Sequence, residues 1–136
     1  LVEIPGKGLT EEDIDKYNGI RVEIASAVPR KKQVSFSEKF GEMLPEGQTR
    51  EIVVVEVETK PIGIDRLGQP ITIIEEFPLK KHPVTGKYGP SFHEKSKSYK
   101  LFNLLKINKF EDVVGKSIVV IKKIRQSGKP YLGFAI

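Results

Sequence analysis

The closing stretch SKSYKLFNLLKINKFEDVVGKSIVVIKKIRQSGKPYLGFAI, residues 96–136, decides the architecture. Leu101, Leu104, Leu105 and Ile107 recur at helical spacing, which predicts a helix over 96–107 capped by Ser96 or Ser98. NKFEDVVG reads as a turn closing at Gly115. SIVVIKKIR predicts a strand, SGK a tight turn in which Gly128 is free to take positive φ, and YLGFAI a final strand. Phe134, in phase with Leu132 and Ile136, is expected in the core.

Upstream, LTEEDIDKYNG predicts a short helix with Thr10 as N-cap, acids in its first turn and Gly19 at its end. IRVEIASAV predicts a first strand, Ile20 to Val28, with Val22, Ile24 and Val28 facing a core, followed by a long loop from Pro29 to Gln48. REIVVVEVETK is the clearest strand, with Val53, Val55 and Val57 on one face and Glu56, Glu58 and Lys60 on the other. PIGIDRLGQP is a turn-rich connector, and ITIIEEF predicts a third strand with Ile71, Ile73 and Phe77 in phase. Residues 78–97 are long for a passive connector, and their glycines and aromatics suggest an ordered functional arm. The expected fold is therefore β-dominated: a five-stranded, OB-like Greek-key barrel with one helix between the third and fourth strands and a short N-terminal helix.

A chain of 136 residues with 38% apolar and 30% charged residues is one domain by size, spanning 1–136. No apolar run approaches the roughly 18 residues of a membrane span, and no signal-peptide core is visible, so a cytoplasmic protein is expected. The opening at Leu1 reads as a trimmed start. With no cysteine, disulfides and thiolate metal sites are excluded; abundant Lys and Glu with a single Met lean toward a thermophilic source.

Charge is distributed unevenly. Residues 79–136 carry 13 Lys+Arg against 3 Asp+Glu, a net of +10, whereas residues 1–78 carry 10 against 15, a net of −5, so all the excess positive charge lies in the second half. A polyanion is the natural partner, because neutralised phosphates release counterions.

Catalytic patterns are sparse. His82 and His93 stand 11 residues apart in an irregular segment, without zinc spacing. The GKS of residues 115–117 lacks the upstream glycine of a phosphate loop, because Phe110 holds that position. Glu58-Thr59-Lys60 is similar to the ExK half of a restriction-type nuclease motif, in which a carboxylate holds magnesium and a lysine steadies water. No Asp lies between Asp15 and Asp65 to complete it, and a solvated strand face explains the same alternation. A metal-dependent nuclease using Glu58 and Lys60 is the enzymatic alternative; a protein-interaction or assembly module is the second.

Binding patterns are richer. Basic clusters at Arg30-Lys31-Lys32, Lys80-Lys81, Lys95-Lys97-Lys100 and Lys122-Lys123-Arg125 with Lys129 lie near Phe36 and Phe40, Tyr88 and Phe92, Tyr99, and Tyr131 and Phe134. Lysines tracking phosphates beside rings that stack on bases suit a single-strand binder. The expected contacts are Arg30, Lys31, Lys32, Lys80, Lys81, Lys123, Arg125 and Lys129 for phosphates, and Phe36, Tyr88, Phe92 and Tyr131 for stacking. The competing explanation for each ring is packing that pins a loop, and for each lysine run a solvated surface.

The helix KLFNLLKIN, the turn FEDVVGKSIVV and the hairpin KKIRQSGKPYLGFAI together resemble the C-terminal part of OB-fold single-stranded-DNA-binding proteins of phage and archaeal type. The resemblance covers the last 40 residues or so. It implies a protein that coats or protects single strands in replication, recombination or repair, without cofactor; single-stranded nucleic acid is the expected partner, with a homo-oligomer or a replication protein as further expected partners.

Overall fold

A computed structural model describes residues 9–37 and 42–136. The sheet is built from β1 (Ile20–Val34), β2 (Arg50–Thr59), β3 (Ile74–Pro78), β4 (Ser117–Ile124) and β5 (Pro130–Phe134), every pairing antiparallel. The spatial order is β3-β2-β1-β4-β5. Helix α1 (Glu11–Tyr17) precedes the sheet, and helix α2 (Lys97–Leu105) lies between β3 and β4 in the chain.

Local chemistry sets the element ends. Thr10 closes a capping box on α1: its hydroxyl accepts from Asp13 N at 3.1 Å and its own N–H donates to the Asp13 carboxylate at 3.2 Å. Ser96, not Ser98, caps α2 by accepting from Tyr99 N at 3.1 Å; Ser98 is buried. The buried stripe of α2 is Leu101 and Phe102, while Leu104, expected inside, is 52% exposed. Phe102 instead meets Phe110 edge-on at 4.8 Å, and Phe110 meets Phe77 at 5.8 Å. That aromatic chain continues to Phe134, 6.3 Å from Phe77 and fully buried as expected. Phe110 and Val113 of a short 3₁₀ turn (Phe110–Val113) add to this core.

Three expectations need correction. First, β1 runs six residues beyond Val28, so Arg30, Lys31 and Lys32 stand on a strand and not in a loop. A β-bulge between Ile24 and Ser26 sets two residues of β1 against one of β2. The bulge flips the alternation: Val22 and Ile24 are buried, but Val28 emerges 42% exposed, while Ala27 packs against the core. Second, the third strand is broken. Pro70–Ile71 pairs with Gly63–Ile64 as a separate hairpin, and β3 restarts at Ile74. Between them Thr59 turns inward, its hydroxyl accepting from Ile73 N at 3.0 Å. Third, the expected OB-like Greek-key barrel does not close. Among the described residues no backbone ladder joins the outer edges of β3 and β5.

Side chains occupy the open seam between those edges. Glu75, 7% exposed, reaches from β3 to accept from Phe134 N of β5 at 3.0 Å. Its other carboxylate oxygen pairs with Lys97 at the start of α2, and Lys123 stands 3.7 Å from the first. Lys97 also donates to Glu76 O at 2.8 Å and sits 4.8 Å from the centre of the Phe77 ring. Gly133 makes this approach possible, since a Cβ there would come within 2.5 Å of Glu75 Oε1.

Candidate nucleic-acid interface

The expected site residues other than Phe92 fall into three surroundings. The outer face of β1, β2 and β3 holds Arg30 and Lys32. The bulge turns both toward the side that carries Glu56 and Glu76. Arg30 Nε pairs with Glu56 at 2.7 Å, and Lys32 Nζ bonds both oxygens of Glu76 at 2.9 and 2.6 Å. Lys31 alternates to the other side opposite Val53 and has no ion pair among the described residues.

The second surrounding is a groove of about 870 Å³ along the open seam. Ile74, Glu75 and Glu76 form one wall, and Arg125, Lys129 and Tyr131 part of the other. Arg125 lies over the Tyr131 ring, 4.5 Å from its centre, and neither Arg125 nor Lys129 has a carboxylate partner among the described residues. The β4–β5 turn holds both cations at one end: Arg125 N donates to Lys129 O at 2.9 Å, with Gly128 at φ +85° between them. Lys123 does not reach this groove as a free cation, because it faces Glu75.

The third surrounding is a groove of about 490 Å³ at the far end of β3, where Arg50, Lys80, Lys81 and Tyr88 gather with Glu51. Lys80–Lys81 pairs with Tyr88–Gly89 in a two-residue ladder, so part of the 78–97 segment is ordered as an arm. His82 shapes its turn: Nδ1 accepts from Val84 N and Thr85 N, both at 3.2 Å. His93 does the same for Lys95 N. Arg50 joins Phe36 to this region, with its guanidinium 5.1 Å from the Phe36 ring centre and its Nε donating to Phe36 O at 2.8 Å. Phe92 lines neither groove; it is 66% exposed and touches Phe102 edge-on at 6.5 Å. Phe40 lies outside the described residues.

Arg50 was not singled out from sequence, and the joint role of Lys97 and Glu75 was not foreseen. Lys97 stood within a recognised lysine cluster, but its place depends on Glu75, 22 residues earlier in the chain. The ExK residues have separate partners: Glu58 accepts from the Thr72 hydroxyl at 2.8 Å, and Lys60 pairs with Glu23. Among the described residues no three histidines or carboxylates gather as a metal site would require. No helix among them is long and apolar enough to cross a membrane. Comparison of the chain with protein-family models, with curated proteins and with solved structures finds no match in any of the three.

Proposed function

We propose that this protein binds single-stranded nucleic acid through the seam groove, without chemistry of its own, as an OB-like domain serving replication, recombination or repair. The observation that carries this reading is the pairing of Arg125 with the face of Tyr131 beside Lys129, in a groove where neither cation has a carboxylate partner among the described residues. A ring flanked by free cations offers a stacking surface and phosphate contacts together. The fold reading rests on the strand order β3-β2-β1-β4-β5, the helix between β3 and β4, and a long bulged β1 shared by both halves of the sheet. In an OB-like arrangement the edges of β3 and β5 approach one another, and here Glu75 spans that gap by accepting from Phe134 N.

Fluorescence-anisotropy titration with labelled oligo-dT, RNA of equal length and a duplex, at low and moderate salt, tests the proposal. Salt-sensitive binding that favours a single strand over the duplex is expected. Absence of binding to all three at low salt would overturn it and raise the protein-partner alternative to first place.

A further inference from the structure

We infer that the grooves at the two ends of β3 hold one continuous strand, so that the 80–89 arm is the second half of a single site; this rests on the function proposed above. Ile74, Glu75 and Glu76 line the seam groove, and Leu79, Lys80 and Lys81 line the arm groove, with Phe77 and Pro78 between. From Glu75 to Lys80 a strand advances roughly 17 Å at about 3.4 Å per residue. Stacked nucleotides rise about 3.4 Å each, so roughly five bridge the grooves, and fewer when extended.

The backbone places both halves on the same edge of β3. Thr59 N donates to Ile73 O and Leu79 N donates to Val53 O, so the odd-numbered residues of this segment bond toward β2. The even-numbered ones point the other way, where Glu76 O meets Lys97 and His82 N meets Lys87 O in the arm. The arm hairpin is therefore built out from the edge that also faces the seam.

The chemistry repeats at each end. The seam offers Tyr131 with Arg125 and Lys129; the arm offers Tyr88 with Lys80 and Lys81, backed by Arg50 on Phe36. Lys80 and Lys81 have no ion pair among the described residues, so the arm stays cationic despite Glu51. Glu76, on the wall of the seam groove next to Phe77, has both carboxylate oxygens held by Lys32, which offsets its repulsion toward a crossing phosphate. Two platforms joined by one ligand gain affinity together, because occupying the first raises the effective concentration at the second.

The test titrates oligo-dT of about 4, 8 and 12 residues against the unmodified chain, Tyr88→Ala and Lys80→Ala/Lys81→Ala. The unmodified chain should gain about tenfold or more in affinity between the shortest and middle lengths. Both variants should lose most of that gain while holding the shortest oligonucleotide within about twofold. A length gain that persists in both variants, or no gain in the unmodified chain, overturns the continuous site and leaves the seam reading standing. A chain that binds no single strand at all overturns both. Photocrosslinking of oligonucleotides carrying iodouracil at one end only needs no substitution: opposite ends should mark Tyr131 and Tyr88. Both rings marked equally by the same end would overturn the single path.

Discussion

The outer face of the β1–β2–β3 sheet and the seam between β3 and β5 carry the same kinds of side chain and use them in opposite ways. On the face, Arg30 and Lys32 meet Glu56 and Glu76, and each charge is answered by a neighbour across the strands. In the seam the carboxylate is buried and answered by Lys97, and among the described residues Arg125 and Lys129 beside Tyr131 have no carboxylate partner. Exposed pairs on a face contribute little to stability and cancel one another's field. A buried carboxylate reaching across an open edge ties β3 to β5, and among the described residues Arg125 and Lys129 have no carboxylate of their own. A run of positive residues in a sequence is therefore not yet a site; its acidic neighbours in space decide.

The largest effect expected from this contrast is on stability. Glu75→Ala leaves Phe134 N–H without its acceptor inside the seam and removes the partner of Lys97. A loss of about 2–4 kcal/mol is expected, read as a lower urea midpoint. Gly133→Ala should move in the same direction, since its Cβ would press on the Glu75 carboxylate. Glu56→Ala on the face, whose Arg30 partner is more than half exposed, should cost no more than about 1 kcal/mol. Equal losses for Glu75→Ala and Glu56→Ala would erase the distinction between seam and face.

Ligand affinity draws the same line from the other side. Tyr131→Ala should weaken single-strand binding by about 1–3 kcal/mol, while Arg30→Ala on the face should change it little, because its charge is already neutralised. Salt dependence separates the two regions further. Arg125→Ala should reduce the log–log slope of affinity against salt by about 0.7, the contribution of one phosphate contact on a single strand, and Arg30→Ala, whose partner Glu56 lines neither groove, should leave it unchanged. A slope that falls equally for both variants would place the ligand on the sheet face instead.

Much of the fold was legible in the sequence because its signals are local. Thr10 and Gly19 bracket α1, the alternating valines mark β2, and the Gly128 turn joins the last two strands. What was not legible depends on one backbone event or on distant partners. The bulge between Ile24 and Ser26 has no composition of its own, yet it moves Val28 outward and turns Arg30 and Lys32 toward the acids. Leu104 and Phe102 both fit a helical stripe, and only the positions of Phe110 and Phe77 select Phe102. The open seam is likewise invisible to periodicity, because Glu75 reads as a solvent-facing acid until β5 is placed beside it. Arg125, Lys129 and Tyr131 were recognisable because the turn that gathers them is encoded within seven residues.

The smallest expected effect tests whether a further ion pair, at the docking of α1 on β4, belongs with the face or with the seam. Lys122 donates to Asp15 at 2.9 Å while its backbone N–H donates to Asn18, so the pair ties the helix to the strand beyond it. The hydrogen bond to Asp15, and then the charge of that carboxylate, hold the Lys122 ammonium above its ordinary value of 10.5. A raised folded-state pKa means that the contribution to stability is fully present below the unfolded value and fades as pH climbs through the folded one. Urea midpoints of the unmodified chain and Asp15→Asn should therefore differ slightly at about pH 9 and converge by about pH 12. The difference should be small because Lys122 remains in contact with water, as on the face. A gap as large as that of Glu75→Ala would move this pair into the company of the seam.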